Sequence, residues 1–296
     1  MDKFARDENS HSPRPLWAAA SAILLTGMAG LAQSAPGDTE LISVRIDSPE
    51  AAGGSIRTAL SANGRYVAFS SQGSPLVPGD TNPLHLYDVF VRDRQSEITE
   101  LVSQSTSGVQ GNADSFLMSI SADGRYVAFA SEADNLVQGD TNSREDVFVR
   151  DRQSGLTERV SVDSNGVQGN DRSLGGSLSA DGRYVAFASV ATNLVSEGRA
   201  GDCYVKDLET GSIERVNVSS SGTLPSHGCG APLISANGRF VAFSSRAYNL
   251  VPGDRNRTYD IFVRDLQTDR TEMVSLTAAG APRRAPPPQS VPMDDT

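Results

Sequence analysis

The chain has 296 residues, 26 of them Lys or Arg and 36 Asp or Glu, and this net charge of −10 disfavours a basic nucleic-acid-binding domain. Lys3 and Lys206 are its only lysines and the arginines are scattered, which excludes a polybasic patch for a membrane surface or a phosphate. Hydrophobic residues at 38% with 21% charged residues exclude disorder throughout and suffice for one large domain or two small ones.

At the N-terminus, Lys3, Arg6 and Arg14 precede an Ala/Leu-rich run from Leu16 to Ala32, and Ala32-Gln33-Ser34 offers small residues to a signal peptidase. Residues 1–34 read as a cleaved signal peptide, which implies a periplasmic or secreted protein; a retained membrane anchor is the alternative. The apolar run is short and interrupted by Gly27 and Gly30, so no stable membrane span is expected after cleavage.

From Thr39 onward the sequence is organised by repetition. Ser61-Ala62-Asn63-Gly64-Arg65-Tyr66-Val67-Ala68-Phe69 recurs from Ser121, Ser179 and Ser235, at spacings of 60, 58 and 56 residues. A second phrase follows each copy, beginning at Asp88, Asp146, Asp202 and Asp260, and a third closes each unit, most clearly Thr157-Glu158-Arg159-Val160-Ser161-Val162. Each unit offers four short strands, with units at about 55–103, 113–162, 171–218 and 228–276. Ala-Asn/Asp-Gly is a tight hairpin turn between strands A and B, with Gly supplying positive φ. Strand B is apolar on both faces, Val127 and Phe129 on one and Tyr126 and Ala128 on the other, so it is expected to be buried on both sides, as is strand C. Strand D alternates, with Val160 and Val162 inward and Arg159 and Ser161 outward toward solvent.

Repeated four-stranded units with doubly buried inner strands describe the blades of an all-β propeller. The phrase Ser-Ala-Asp-Gly-Arg-Tyr-Val-Ala-Phe-Ala-Ser from Ser121, followed by Asp146-Val147-Phe148-Val149-Arg150-Asp151, resembles the WD40-like repeat of the TolB-type propeller family of bacterial envelope proteins. That resemblance spans roughly Thr39 to Thr277 and implies a propeller fold. Residues 39–45 repeat the strand D phrase without strands A to C before them, which gives four full blades plus one extra N-terminal outer strand. The domain is therefore either a small closed ring or an open arc whose edges pair with another copy. Residues 279–296 are proline-rich and read as a disordered tail.

Strand order puts the short A–B and C–D turns at one end and the long B–C and D–A loops at the other, where function is expected. The B–C loops carry Asp80, Asn82 and Asp88, then Asp140, Asn142 and Asp146, and then Asp254, Asn256 and Asp260. Oxygen ligands at this spacing are candidate calcium loops, and side-chain-to-backbone turns are the competing reading. The third unit keeps Asp202 but lacks the Asp-Thr-Asn step. Cys203 and Cys229 are a candidate disulfide in an exported chain. The recurring Arg65, Arg125, Arg183 and Arg239 are expected to anchor turn carbonyls or carboxylates. No catalytic residue is singled out: outside the leader only His85 and His227 are histidines, and neither recurs. The leading reading is an exported non-enzymatic binding module for an envelope or extracellular protein or glycan, with calcium-ordered loops as one variant of it. A hydrolase or lyase acting on a carbohydrate or small molecule in the channel is the alternative, and a self-assembling structural subunit the second.

Overall fold

The computed structural model describes residues 41–43, 53–73, 75–81 and 85–278; the leader 1–34, Asn82 and the tail 279–296 lie outside them. From Ile42 onward the described residues belong to one compact unit. They form four antiparallel four-stranded sheets, each in simple up-and-down order, and no helix occurs among them. Blade 1 holds β1 (Ser55–Leu60), β2 (Tyr66–Ser71), β3 (Asp88–Asp93) and β4 (Ile98–Leu101). Blade 2 holds β5 (Ser115–Ile120), β6 (Tyr126–Ser131), β7 (Asp146–Asp151) and β8 (Leu156–Arg159). Blade 3 holds β9 (Ser173–Leu178), β10 (Tyr184–Ser189), β11 (Asp202–Asp207) and β12 (Ile213–Arg215). Blade 4 holds β13 (Leu233–Ile234), β14 (Phe240–Ser245), β15 (Asp260–Asp265) and β16 (Arg270–Met273).

The A–B turn is built from its own letters. Gly64, Gly124, Gly182 and Gly238 all sit at φ between 68° and 78°. The Ser that opens each turn donates its hydroxyl to the Asn or Asp two residues on (2.8, 2.6, 2.5 and 2.6 Å) and accepts the N–H of the aromatic that opens strand B (2.9 Å in every blade).

Blades stack in sequence, the inner strands touching in the order β1, β5, β9, β13. Three apolar clusters fill the three boundaries. Ala68, Val89 and Val91 of blade 1 meet Val127, Phe129 and Phe148 of blade 2. Ala128, Val147 and Val149 then meet Val185, Phe187 and Tyr204, and Ala186, Cys203 and Val205 meet Val241, Phe243 and Phe262. Strand B thus contributes to a different core on each face, as its doubly apolar sequence requires.

Strand D differs from its expected pattern. It ends at Leu101, Arg159, Arg215 and Met273, and the following Val102, Val160 and Val216 are wholly buried against the next blade. Arg159 and Ser161 are buried, not solvated, because the buried Asp146 carboxylate takes both as partners. Of the extra N-terminal strand only residues 41–43 are described, and they carry no strand pairing; the Ile42 side chain packs on Phe69, Leu76, Val77 and Phe90 of blade 1.

A ladder of turn-to-turn hydrogen bonds runs along the stack: Ala62 N–H to Ala122 O (2.9 Å), Ala122 N–H to Ala180 O (2.8 Å), Ala180 N–H to Ala236 O (2.9 Å). It does not close, since Leu60 of blade 1 and Phe240 and Ile261 of blade 4 face solvent. The domain is an open arc of four propeller blades.

Candidate functional site

At the long-loop end each blade centres on the Asp that opens strand C. Asp88, Asp146, Asp202 and Asp260 are all buried, and each carboxylate accepts a side chain that follows strand D: Ser103 (2.7 Å), Ser161 (2.6 Å), Asn217 (3.0 Å) and Ser275 (2.7 Å). The oxygens of these same side chains accept the N–H of Val89, Val147, Cys203 and Ile261, locking the start of strand C to the end of strand D.

The candidate calcium loops converge on these aspartates, with protein donors between their carboxylates. Gln110 Nε2 donates to both Asp80 (2.9 Å) and Asp88 (2.8 Å), and Gln168 Nε2 donates to both Asp140 (2.9 Å) and Asp146 (2.7 Å). The buried Arg159 guanidinium adds ion pairs to Asp140 (3.4 Å) and Asp146 (3.6 Å). Asn142 turns its amide nitrogen toward Asp146 (3.3 Å) and spends its oxygen on the Arg144 N–H (2.8 Å). Asn256 does likewise with Asp260 (2.7 Å) and the Thr258 N–H (2.9 Å). Burial pushes the Asp146 carboxyl above its ordinary range, against the pull of Ser161, Gln168 and Arg159. In blade 3 a short Arg215–Asp202 pair (2.7 Å) replaces the glutamine. Among the described residues no group of three or more His, Cys, Asp or Glu converges as a metal would require. Gln110 and Gln168 carry no chemistry in isolation; their signal was the recurrence of Val-Gln-Gly-Asn at 109–112 and 167–170.

Cys203, at the start of β11, and Cys229, before β13, are joined by a disulfide with their Cα atoms 6.0 Å apart. The bond ties blade 3 covalently to blade 4.

At the short-turn end Arg125 forks onto Asp151, Nε to Oδ1 at 2.9 Å and Nη2 to Oδ2 at 2.6 Å. Arg65–Asp93, Arg183–Asp207 and Arg239–Asp265 repeat the fork. A concave feature also lies at this end, opposite the long loops where the sequence led function to be expected. A cleft of about 390 Å³ opens between blades 2 and 3, lined by Tyr126, Asp151, Leu156, Glu158, Asp181, Leu208 and Glu209, with Arg183 on its wall. Burial pushes the Glu158 carboxyl up, opposed by the charge of Lys206.

The neighbouring boundary explains why this cleft is open. Between blades 1 and 2 the corresponding space holds Arg152, whose guanidinium lies 4.4 Å from the Tyr66 ring centroid, donates to Glu100 and bonds the Gly124 carbonyl. In the blade 2–3 boundary Tyr126, Glu158 and Gly182 stand where Tyr66, Glu100 and Gly124 stand, and Leu208 replaces the arginine. Leu208 packs into the apolar cluster and leaves the acidic socket empty of side chain.

No family model matches the chain. No curated protein matches it either. Among solved structures it is similar to TolB from Acinetobacter baumannii, at 16% identity and a TM-score of 0.45, over 75% of this chain and 43% of that one. It is also similar to the β-propeller domain of the Trilobed protease from Pyrococcus furiosus, which has an open velcro topology, at 10% identity and a TM-score of 0.44, over 75% of this chain and 57% of that one. The chain thus spans less than half of the first of these proteins and just over half of the second.

Proposed function

We propose that the protein is an exported, non-enzymatic binding module that takes an arginine side chain of an envelope or extracellular protein into the cleft between blades 2 and 3. The observation that carries this reading is internal: Tyr66, Glu100 and the Gly124 carbonyl hold the Arg152 guanidinium, and Tyr126, Glu158 and Gly182 recur around the cleft with Leu208 in the place of that arginine. An aromatic face, a half-buried carboxylate and a carbonyl form a guanidinium socket by charge, stacking and planar donor geometry. The reading of residues 1–34 as a signal peptide supports export.

Calorimetric titration of the chain lacking residues 1–34 with a blocked arginine peptide tests the proposal, with the citrulline peptide as the uncharged isostere. Binding of the arginine peptide alone, lost in Glu158→Gln and in Leu208→Arg, supports the socket. Equal binding of both peptides, or binding that survives Leu208→Arg, overturns it.

Calcium is the second reading, and blade 4 is the loop that favours it. Its sequence has no glutamine corresponding to Gln168, and burial together with the nearby Asp260 charge pushes the Asp254 carboxyl up. A calcium-dependent rise in melting temperature that Asp254→Asn abolishes supports this reading; an unchanged melting temperature removes it.

A further inference from the structure

The arc ends in two half-interfaces, and the missing half of each is on the other end of the same chain. The three internal boundaries share a backbone ladder and a ring-over-glycine contact, and each of these leaves one member on blade 4 and its counterpart on blade 1 without the cross-blade contact.

The backbone ladder leaves the Ala236 N–H at one end and the Ala62 carbonyl at the other. Aromatic rings follow the same rule. Tyr66, Tyr126 and Tyr184 lie so close over the turn glycines Gly124, Gly182 and Gly238 that a Cβ there would come within 2.2 to 2.4 Å of the ring. Phe240 is the fourth such ring and has no turn over it, and Gly64 is the remaining turn glycine, with nothing within 4 Å of its Cβ direction. Charges repeat the pattern: Glu100 faces Arg150, Glu158 faces Lys206 and Glu214 faces Arg264 across the three boundaries. At the two ends Glu272 of blade 4 pairs instead with Arg270 of its own strand (3.2 Å), and Arg92 of blade 1 is 9% exposed and bonded to the Glu97 carbonyl and Thr99.

The apolar surface agrees. Ile261 is 42% exposed and Val274 50% exposed, at positions where Val147 and Val160 are 0% exposed under the next blade. On blade 1, Leu60 is 62% exposed, where Ile120 is 9% exposed against the preceding blade. On blade 1 the bare surface is confined to Leu60, since Phe69 and Phe90 are 2% and 1% exposed; the bare face of blade 4, matched to a template already formed three times in the molecule, identifies its own partner.

We infer that the outer face of blade 4 docks on the outer face of blade 1 of a second copy, head to tail, through Phe240 against Gly64, and Ile261 and Val274 against the Phe69–Phe90 face. The contact is heterologous, so it propagates until a ring closes. Ile42 already occupies part of the receiving face, at the place on Phe69 and Phe90 that Val102 takes on the next blade. Docking therefore exchanges Ile42 for Val274 of the incoming copy, and association is concentration-dependent. The inference is independent of the arginine socket, which lies between blades 2 and 3.

Sedimentation velocity and native mass spectrometry on the chain lacking residues 1–34, over a wide concentration series, provide the test. Leu60→Glu disables one half of the contact and Ile261→Glu the other; both side chains are solvent-exposed, and circular dichroism verifies that each variant folds. Head-to-tail docking gives multimers for the parent chain, monomers for each variant alone, and a one-to-one dimer when the two variants are mixed, because one intact pair of faces remains. A parent chain that stays monomeric at every concentration overturns the inference. So does association that Leu60→Glu leaves intact, or two variants that fail to pair when mixed.

Discussion

Arg183 and Asp207 meet through two parallel hydrogen bonds, Nε to Oδ1 at 3.0 Å and Nη2 to Oδ2 at 2.7 Å, and so fasten the A–B turn of blade 3 to its C–D turn. The guanidinium holds the Asp207 carboxyl down at about 2, helped by the Glu209 and Thr210 N–H groups. Asp93, Asp151 and Asp265 are held well below the carboxylate range by their own arginines.

A carboxyl whose folded pKa is depressed contributes stability that is complete above its unfolded value, near 3.8, and is lost as pH falls through the folded value. Urea midpoints are therefore expected to be level from neutral pH to about pH 5 for these four groups and to fall between about pH 4 and pH 2. Arg183→Leu flattens that fall by one carboxyl's share. An acid limb unchanged in the variant would contradict the assignment.

Gly182 and Gly139 have nearly the same φ, 75° and 74°, in very different surroundings. A Cβ on Gly182 lands 2.2 Å from the Tyr126 ring, whereas one on Gly139 meets nothing within 4 Å. Gly139→Ala is expected to cost about 1 kcal/mol for the left-handed backbone alone, and Gly182→Ala a further 1–3 kcal/mol for prising blades 2 and 3 apart. Equilibrium denaturation of the two variants side by side measures the difference.

Gln168 separates two carboxylates. Gln168→Ala leaves Asp140 and Asp146 without the shared amide, so a loss of about 1–3 kcal/mol is expected, while Gln168→Glu, with a third negative charge at the same place, is expected to lose more. Thermal unfolding of both variants checks the order.

The disulfide closes a loop with a sequence separation of 26. Chain-entropy reasoning gives about 3.5 kcal/mol for a loop of this length, so the Cys203→Ser, Cys229→Ser double variant is expected to lose up to that amount. Chemical denaturation of the reduced and oxidised chain provides an independent reading of the same quantity.

Ile42→Ser removes the side chain that covers Phe69 and Phe90. Weaker cover on blade 1 is expected to raise the self-association constant several-fold, as read by the concentration at which multimers appear.

The blades were legible because strand B repeats one doubly apolar phrase at a fixed turn, and both determinants are local. Strand D was read less well. Alternation placed Arg159 and Ser161 outward, but alternation presumes that water is the only partner for a polar side chain; here Asp146 offers a buried one. The same blindness applies to the B–C loops. Asp-x-Asn followed three to five residues later by Asp is a string of oxygens in one dimension, and Gln168, whose amide stands between Asp140 and Asp146, lies 28 and 22 residues away from them. The cleft was invisible for a different reason: it is defined by what Leu208 lacks relative to Arg152, and by Tyr126 and Glu158 arriving from two other strands.

Because each blade bonds only its sequence neighbours through the alanine ladder, opening is a one-dimensional process that starts at an end. Cys203–Cys229 makes the two ends unequal, since blade 4 cannot peel away without blade 3. Amide hydrogen exchange should consequently run as a gradient, fastest in β1 to β4, and reducing the chain should let a second front advance from β16.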